Sequence, residues 1–182
     1  MNATFVLREW RLQDVKSLVE NANNINIWKN VRDYFPHPYT EKDAEKFIQS
    51  VIHQPKPYTI FAIEIEGKAV GGIGIIPQED IYKITTEMGY WLGEKYWNRG
   101  IMTRAVKQMV EYTFKKFSVT KIFAAIFEYN TASMKVLEKA GFTKEAILKK
   151  AAIKNGKTID LHYYGLIDNG ELIIDNEKRL NC

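Results

Sequence analysis

One mixed α/β domain, a twisted sheet of parallel and antiparallel strands flanked by helices, is what this sequence predicts, and three observations predict it. Apolar residues alternate at period two in Phe61, Ile63 and Ile65, with a glycine turn following at once. A second turn signal, Asn155-Gly156, separates two further strand-like runs. Between them the spacing changes to that of a helix, then to a compact apolar run, then to a helix again. The 182 residues fit one domain on a prior of roughly 100 to 200 residues each. We place the domain at residues 1–174 and a polar tail at 175–182.

The elements follow in order. Thr4 to Arg8 reads as a short strand. Leu12, Val15, Leu18, Val19 and Ala22 make one apolar helical stripe. Asn23 to Tyr39 reads as irregular. Thr40 with Asp43 three residues on is the pattern of a helix cap, and Ala44, Phe47, Ile48 and Val51 form the buried face behind it. Pro55 and Pro57 stop that helix. Gly67-Lys68 then turns the first strand of a hairpin into a second, Ala69 to Ile76, and another strand runs from about Ile84 to Leu92. Ala105, Val106, Met109, Val110, Phe114 and Phe117 keep helical spacing, so a helix starts near Met102 and ends around Lys116. Lys121 to Phe127 has strand length. Ser133 to Ala140 is a short helix closed by Gly141, a residue at ease in the left-handed conformation of a helix end. Ile147 to Ile153 and Thr158 to Ile167 complete the last hairpin.

Composition excludes several functions. Hydrophobic residues make up 46% of the chain, enough for a core and too many for disorder. The one cysteine, Cys182, leaves no internal disulfide and no thiolate metal site, which fits a reducing compartment, and a cytoplasmic location is the default expectation. No apolar run approaches the ~18 residues of a membrane span, and Met1 to Leu7 lacks the pattern of a secretion signal, so no membrane partner is expected. His37, His53 and His162 are scattered and lack helical pairing, so no metal is expected either. The net charge of +4 suits an anionic ligand. No basic run interleaved with aromatics appears, so nucleic acid is not the expected partner.

The most informative stretch is Glu87 to Arg104, E-M-G-Y-W-L-G-E-K-Y-W-N-R-G-I-M-T-R. A strand runs into a turn of Asn98, Arg99 and Gly100, and a helix begins directly after it. Backbone N–H groups at a helix start, with the positive end of the macrodipole behind them, form a ready anion site. By itself such a glycine turn is as well read as a plain loop.

Three blocks extend the pattern: Gly89 to Glu94, Tyr96 to Ala105, and Asn130 to Phe142 (N-T-A-S-M-K-V-L-E-K-A-G-F). With them the sequence resembles the GNAT N-acetyltransferases, and more closely their RimJ/RimL-type branch of ribosomal-protein N-terminal acetyltransferases. The Leu7-Arg8 strand leading to Asp14, the segment Phe35 to Tyr39, and Asp160 also look like that branch. The resemblance implies a central sheet in which two neighbouring parallel strands, here Ile84 to Leu92 and Lys121 to Phe127, splay apart. It implies acetyl-CoA as co-substrate, its pyrophosphate on the turn of Asn98, Arg99, Gly100, Ile101, Met102 and Thr103, and its pantetheine arm along Trp91 and Leu92. The superfamily signature Q/R-x-x-G-x-G/A falls on Trp97 to Met102, where only Gly100 matches. Because phosphate is held by main-chain amides, cofactor binding is expected to survive that departure, with Met102 narrowing the groove.

Amide formation needs a deprotonated amine, and α-amines with pKa near ~7.7–8.0 and lysines near ~10.4 are largely charged at neutral pH. Glu87 is the candidate base, directly or through a water; a structural carboxylate paired with Arg99 or Arg104 is an equal reading. A main-chain N–H near Leu92 suits the oxyanion. Many members of the family place a tyrosine where this chain has Leu137. The branch carries N-x-x-S instead, which makes Ser133 the candidate acid at the sulfur and Asn130 a partner of the cofactor arm; plain helix capping by Ser133 or Asn130 weighs nearly the same. Lys135 is placed near the cofactor phosphates. The acceptor region is expected between Ile27 to Tyr39 and roughly Ala151 to Tyr163, with Trp28, Asn30, Asp33, Tyr34, Phe35 and Tyr90 as candidates for walls and a cation partner. The expected acceptor is a primary amine, first a protein N-terminus, alternatively a polyamine, amino sugar or amino acid. A sensor that binds acyl-CoA without turnover is the competing class, and a homodimer stays open.

Overall fold

The computed structural model describes residues 4–168 and 170; the tail at 175–182 and Cys182 lie outside them. Seven strands form one mixed sheet, β1 (Val6–Arg8), β2 (Ile60–Ile65), β3 (Lys68–Pro77), β4 (Thr85–Leu92), β5 (Lys121–Phe127), β6 (Thr143–Lys154) and β7 (Lys157–Ile167), in the spatial order β1-β2-β3-β4-β5-β7-β6. Every pairing is antiparallel except β4 with β5. The parallel pair arises where α4 (Ile101–Lys116) crosses over between the two strands.

Two apolar layers sandwich the sheet. On one face α4 and α5 (Thr131–Lys139) press Ile101, Val106, Met109, Met134 and Leu137 onto Ile73, Ile75, Met88 and Ile122. On the other, α1 (Val15–Ala22) and α3 (Glu41–Val51) bury Leu18, Ala22, Ala44, Ile48 and Val51 with Trp10 and Tyr39. The α3 cap is as the sequence predicts: Thr40 and Asp43 exchange backbone and side-chain hydrogen bonds. Arg8 donates to both carboxylate oxygens of buried Asp14 at 2.7 Å and so ties β1 to the entrance of α1.

Several boundaries differ from the sequence expectation, each for a local reason. β1 begins at Val6, since only Val6 to Arg8 find partners on β2. The first apolar stripe opens with a 3₁₀ turn over Leu12–Asp14 before the α-helix proper. The stretch expected to be irregular contains a four-residue helix, α2 (Ile25–Trp28), capped by the Asn24 side chain accepting from Asn26 N–H. The first hairpin turns on Glu66 (φ 50°) and Gly67 (φ 77°), one residue earlier than Gly67-Lys68, because a type I′ turn needs both central residues left-handed. Asn155 (φ 49°) and Gly156 (φ 71°) meet the same demand at the expected place. β6 starts at Thr143, earlier than Ile147, drawn out by its pairing with β7.

Candidate active site

The site begins where the parallel pair ends. Among the described residues β4 and β5 pair only at Thr85–Lys121, Thr86–Ile122 and Glu87–Phe123. Beyond that rung β4 stays with β3 as far as Leu92, and β5 stays with β7 as far as Phe127. Each strand follows its own neighbour through a twisting sheet, and a fork opens between them. The sequence expectation of two diverging parallel strands agrees with this pairing.

Hydrogen-bond alternation fixes what the fork exposes. Gly93 N–H donates to Val70 and Ile75 N–H donates to Thr59, so residues opposite Gly71, Ile73 and Ile75 are the non-bonded pairs of the β3–β4 ladder. The amides of Tyr90 and Leu92 therefore point away from β3, into the fork. In keeping with this, the Leu92 carbonyl accepts from Trp97 Nε1 at 2.7 Å rather than from β3.

The turn after β4 delivers the chain to α4 through two left-handed residues, Asn98 (φ 59°) and Gly100 (φ 66°). Asparagine and glycine are the residues that adopt this conformation at least cost. No side chain among the described residues caps the first turn of α4, and the space a Cβ on Gly100 would enter is open. The N–H groups of Ile101, Met102 and Thr103 thus head a 16-residue helix whose N-terminus can accept an anion. Met102 does not narrow this entrance: at 9% exposure its side chain is folded into the core under α4. Asn98 and Arg99 are exposed, and Arg99 lies over the Tyr96 ring at 5.8 Å.

Alternation also sorts the β4 side chains between the two faces. Met88 and Leu92 enter the α4 core, and Tyr90, packed against that core, lies with them. There the Tyr90 hydroxyl meets Ser133 Oγ at 2.8 Å. Burial pushes the Tyr90 phenol well above its ordinary range, and the Ser133 hydrogen bond offsets only part of that. Asn130, not Ser133, caps α5, its side-chain oxygen accepting from Ser133 N–H at 3.2 Å. The two readings of N-x-x-S therefore divide: asparagine holds the helix start, and the serine hydroxyl is turned to Tyr90. Lys135, two residues further along α5, is exposed. Leu137, the position at which the resemblance would lead one to expect tyrosine, is fully buried.

Glu87 and Trp91 occupy the opposite face. Glu87, at the last paired rung, is 16% exposed and accepts a hydrogen bond from the guanidinium of Arg32. The expectation that Arg99 or Arg104 would pair with it is corrected: Arg99 is on Tyr96 and Arg104 lies over the Phe5 ring at 5.0 Å. Phe35 packs edge-on against Trp91 at 5.5 Å. Beyond Phe35 the segment is tied to the last hairpin, where the Lys154 ammonium reaches Asp33 Oδ1 at 2.5 Å and lies 3.9 Å above the Trp28 ring. The cation facing Trp28 and Asp33 is thus one of the chain's own lysines, its side chain only 4% exposed. Asn30 donates to the Asn26 carbonyl and serves α2. Tyr34, at 99% exposure, projects to solvent and borders only the shallow depression beside Arg32 and Asp33. Tyr90, grouped with the acceptor candidates, is brought to Ser133 instead.

Three participants escaped the sequence reading. Arg32 and Lys154 stand in no motif that sets them apart from the chain's other cations, and only tertiary structure carries them to Glu87 and Asp33. Phe123 stacks on Tyr163 at 5.8 Å with an interplanar angle of 10°, beside Glu87 on the same face. Its period-two position in β5 was the available signal.

With this geometry established, comparison with known proteins is direct. Residues 4–143 match the family model of the "Acetyltransferase (GNAT) domain". The chain belongs to the GNAT acetyltransferase family. An N-acetyltransferase of Bacillus licheniformis, p20, is 27% identical over 88% of this chain and 91% of its own. The ribosomal-protein-serine acetyltransferase of Escherichia coli is 28% identical over 70% of this chain and 72% of its own. The microcin C7 self-immunity acetyltransferase MccE, solved with acetyl-CoA and AMP, superposes with a TM-score of 0.78 at 25% identity, covering 90% of this chain and 92% of that one. This GNAT protein is accordingly an N-acyltransferase built on the family's mixed sheet. Among its described residues no helix is long and apolar enough to cross a membrane.

Proposed function

We propose that this GNAT enzyme transfers an acetyl group from acetyl-CoA to a primary amine, foremost a protein N-terminal α-amine, by direct attack within a ternary complex. The observation that carries the reading is the fork itself, a strand edge with inward-facing amides at Tyr90 and Leu92, an uncapped helix start at one end, and a carboxylate at its closed end. The α4 N–H groups at Ile101, Met102 and Thr103 suit the pyrophosphate, and the β4 edge suits the amide-bearing pantetheine arm.

The chemistry follows from charge development. The acceptor ammonium gives a proton to Glu87, directly or through water, and its freed lone pair attacks the thioester carbonyl carbon. The carbonyl oxygen becomes an oxyanion, to which we assign the Leu92 N–H on the open edge as main-chain donor. The C–S bond then breaks, and the departing thiolate takes the second proton of the nitrogen, leaving an amide and free CoA. To Ser133 and Tyr90, on the face opposite Glu87, we assign the leaving sulfur. A phenol held above its ordinary range is a poor acid toward a thiolate, so the pair works as hydrogen-bond donors and a relay. MccE, solved in complex with acetyl-CoA and AMP together, supports a reading in which a site of this fold holds two ligands at once.

The test is release of free thiol from acetyl-CoA on incubation with N-terminal peptides and a panel of small amines. Turnover is expected with at least one α-amine, lost in Glu87→Gln chiefly at low pH. Tight CoA binding without thiol release from any amine would make the protein an acyl-CoA sensor.

A further inference from the structure

We infer that Arg32 is a specificity-determining residue, and that the preferred acceptor is an amine carrying an anionic group close to the nitrogen. This rests on the acetyltransferase reading with Glu87 as base. In the structure the Glu87 carboxylate is engaged by the Arg32 guanidinium, a charge-assisted hydrogen bond at the site's surface to a side chain that is itself mostly covered. While that hydrogen bond stands, the carboxylate oxygen it occupies is not free to receive the acceptor's proton, which is the step required of it. Arg32 itself comes from the segment after α2 and is 57% exposed, so an incoming group can reach it. A surface depression of about 290 Å³ lies beside Arg32, Asp33 and Tyr34, and gives such a group room. The other charge on that depression, Asp33, is satisfied by Lys154 and does not compete for Arg32.

A neutral amine acceptor meets Glu87 while it is still paired, and must break the pair without replacing it. An acceptor with its own carboxylate exchanges partners: its anion takes the guanidinium, its ammonium takes Glu87, and both charges stay compensated. The proton then moves from the ammonium nitrogen to Glu87 Oε as the guanidinium turns to the substrate. Two sources share this chemistry, a free α-amino acid and a peptide with an acidic residue next to its N-terminus.

The experiment follows thiol release with matched pairs, alanine against alaninamide, and a peptide with glutamate in second position against its glutamine counterpart. The wild-type enzyme is expected to favour the anionic member of one pair by at least about tenfold in kcat/KM, the scale of one charge-assisted contact. The responsive pair identifies the source. In Arg32→Ala the ratio is expected to fall toward one through loss of the anionic acceptor's advantage, and Arg32→Lys is expected to retain part of the preference. Turnover without a preference in either pair, or a preference that survives Arg32→Ala, overturns the inference alone. Equal slowing of both members in Arg32→Ala also overturns it, because that is what a merely structural role would give. No thiol release from any acceptor overturns the acetyltransferase reading and this inference with it.

Discussion

The Tyr90 hydroxyl lies 2.8 Å from Ser133 Oγ and joins β4, past the point where it leaves β5, to the first turn of α5. This contact spans 43 residues of sequence and stands on the side of the fork opposite Glu87. If the pair serves the leaving sulfur, Tyr90→Phe and Ser133→Ala should each lower kcat by about tenfold or more with little change in the dissociation constant of CoA. The double variant should fall short of the product of the two, since the groups act together. Turnover unchanged in both single variants would reduce the contact to a structural tie.

At the helix entrance, Gly100 offers a way to separate backbone strain from obstruction. Its φ of 66° makes any Cβ costly by roughly 1–2 kcal/mol, yet nothing lies where that Cβ would go. Gly100→Ala should therefore fold with a lowered Tm. Gly100→Asn, which tolerates the left-handed region, should regain much of that stability. Calorimetric titration with CoA should show binding weakened at least about tenfold in Gly100→Trp, where the side chain occupies the open space. Native affinity in Gly100→Trp would move the phosphate site elsewhere.

The clamp between the last hairpin and the α2 segment should show an asymmetry in chemical denaturation. Asp33→Asn leaves a buried ammonium without its carboxylate, whereas Lys154→Met removes the charge and keeps the stem that covers Trp28. Asp33→Asn is therefore expected to cost about 1–3 kcal/mol and Lys154→Met less. The reverse order would show that the ammonium is sustained by the Trp28 ring without help from Asp33.

Alkaline stability provides a test independent of catalysis. Burial raises the phenols of Tyr90, Tyr39 and Tyr164, the last two to about 12 from an ordinary 10.0. Folded protein thus keeps protons that the unfolded chain releases above pH ~10, so these groups support stability fully below that pH and lose it as pH rises. Unfolding followed by circular dichroism should set in above pH ~10, with part of the tyrosinate absorbance appearing only as the fold is lost. Complete tyrosine ionisation before any loss of structure would contradict the buried placements.

Much of the architecture is legible from local rules. The Thr40–Asp43 cap, the Asn155-Gly156 turn, the α4 stripe and the strand at Lys121 to Phe127 each depend on residues within a few positions of one another. The glycine turn before α4 is legible for the same reason, whereas the reading of that turn as a cofactor site came from the resemblance to the family. Boundaries moved where pairing partners decided them, as at Val6 and Thr143, and where turn geometry chose Glu66 over Lys68.

The chain's sequence by itself determined the order of strands and helices and the glycine turn between β4 and α4, since these rest on period and turn chemistry, and its contiguous motifs carried the resemblance that implied the fold family and the candidacy of Glu87 and Ser133. Only the tertiary structure decided who meets whom: Arg32 with Glu87 across 55 residues, Lys154 with Asp33 across 121, and Tyr90 with Ser133 instead of with the acceptor. The physical reason is range. Helical and strand patterns are enforced by neighbours a turn or a pleat away, whereas a long charged side chain takes whichever opposite charge the packed sheet happens to bring within its reach.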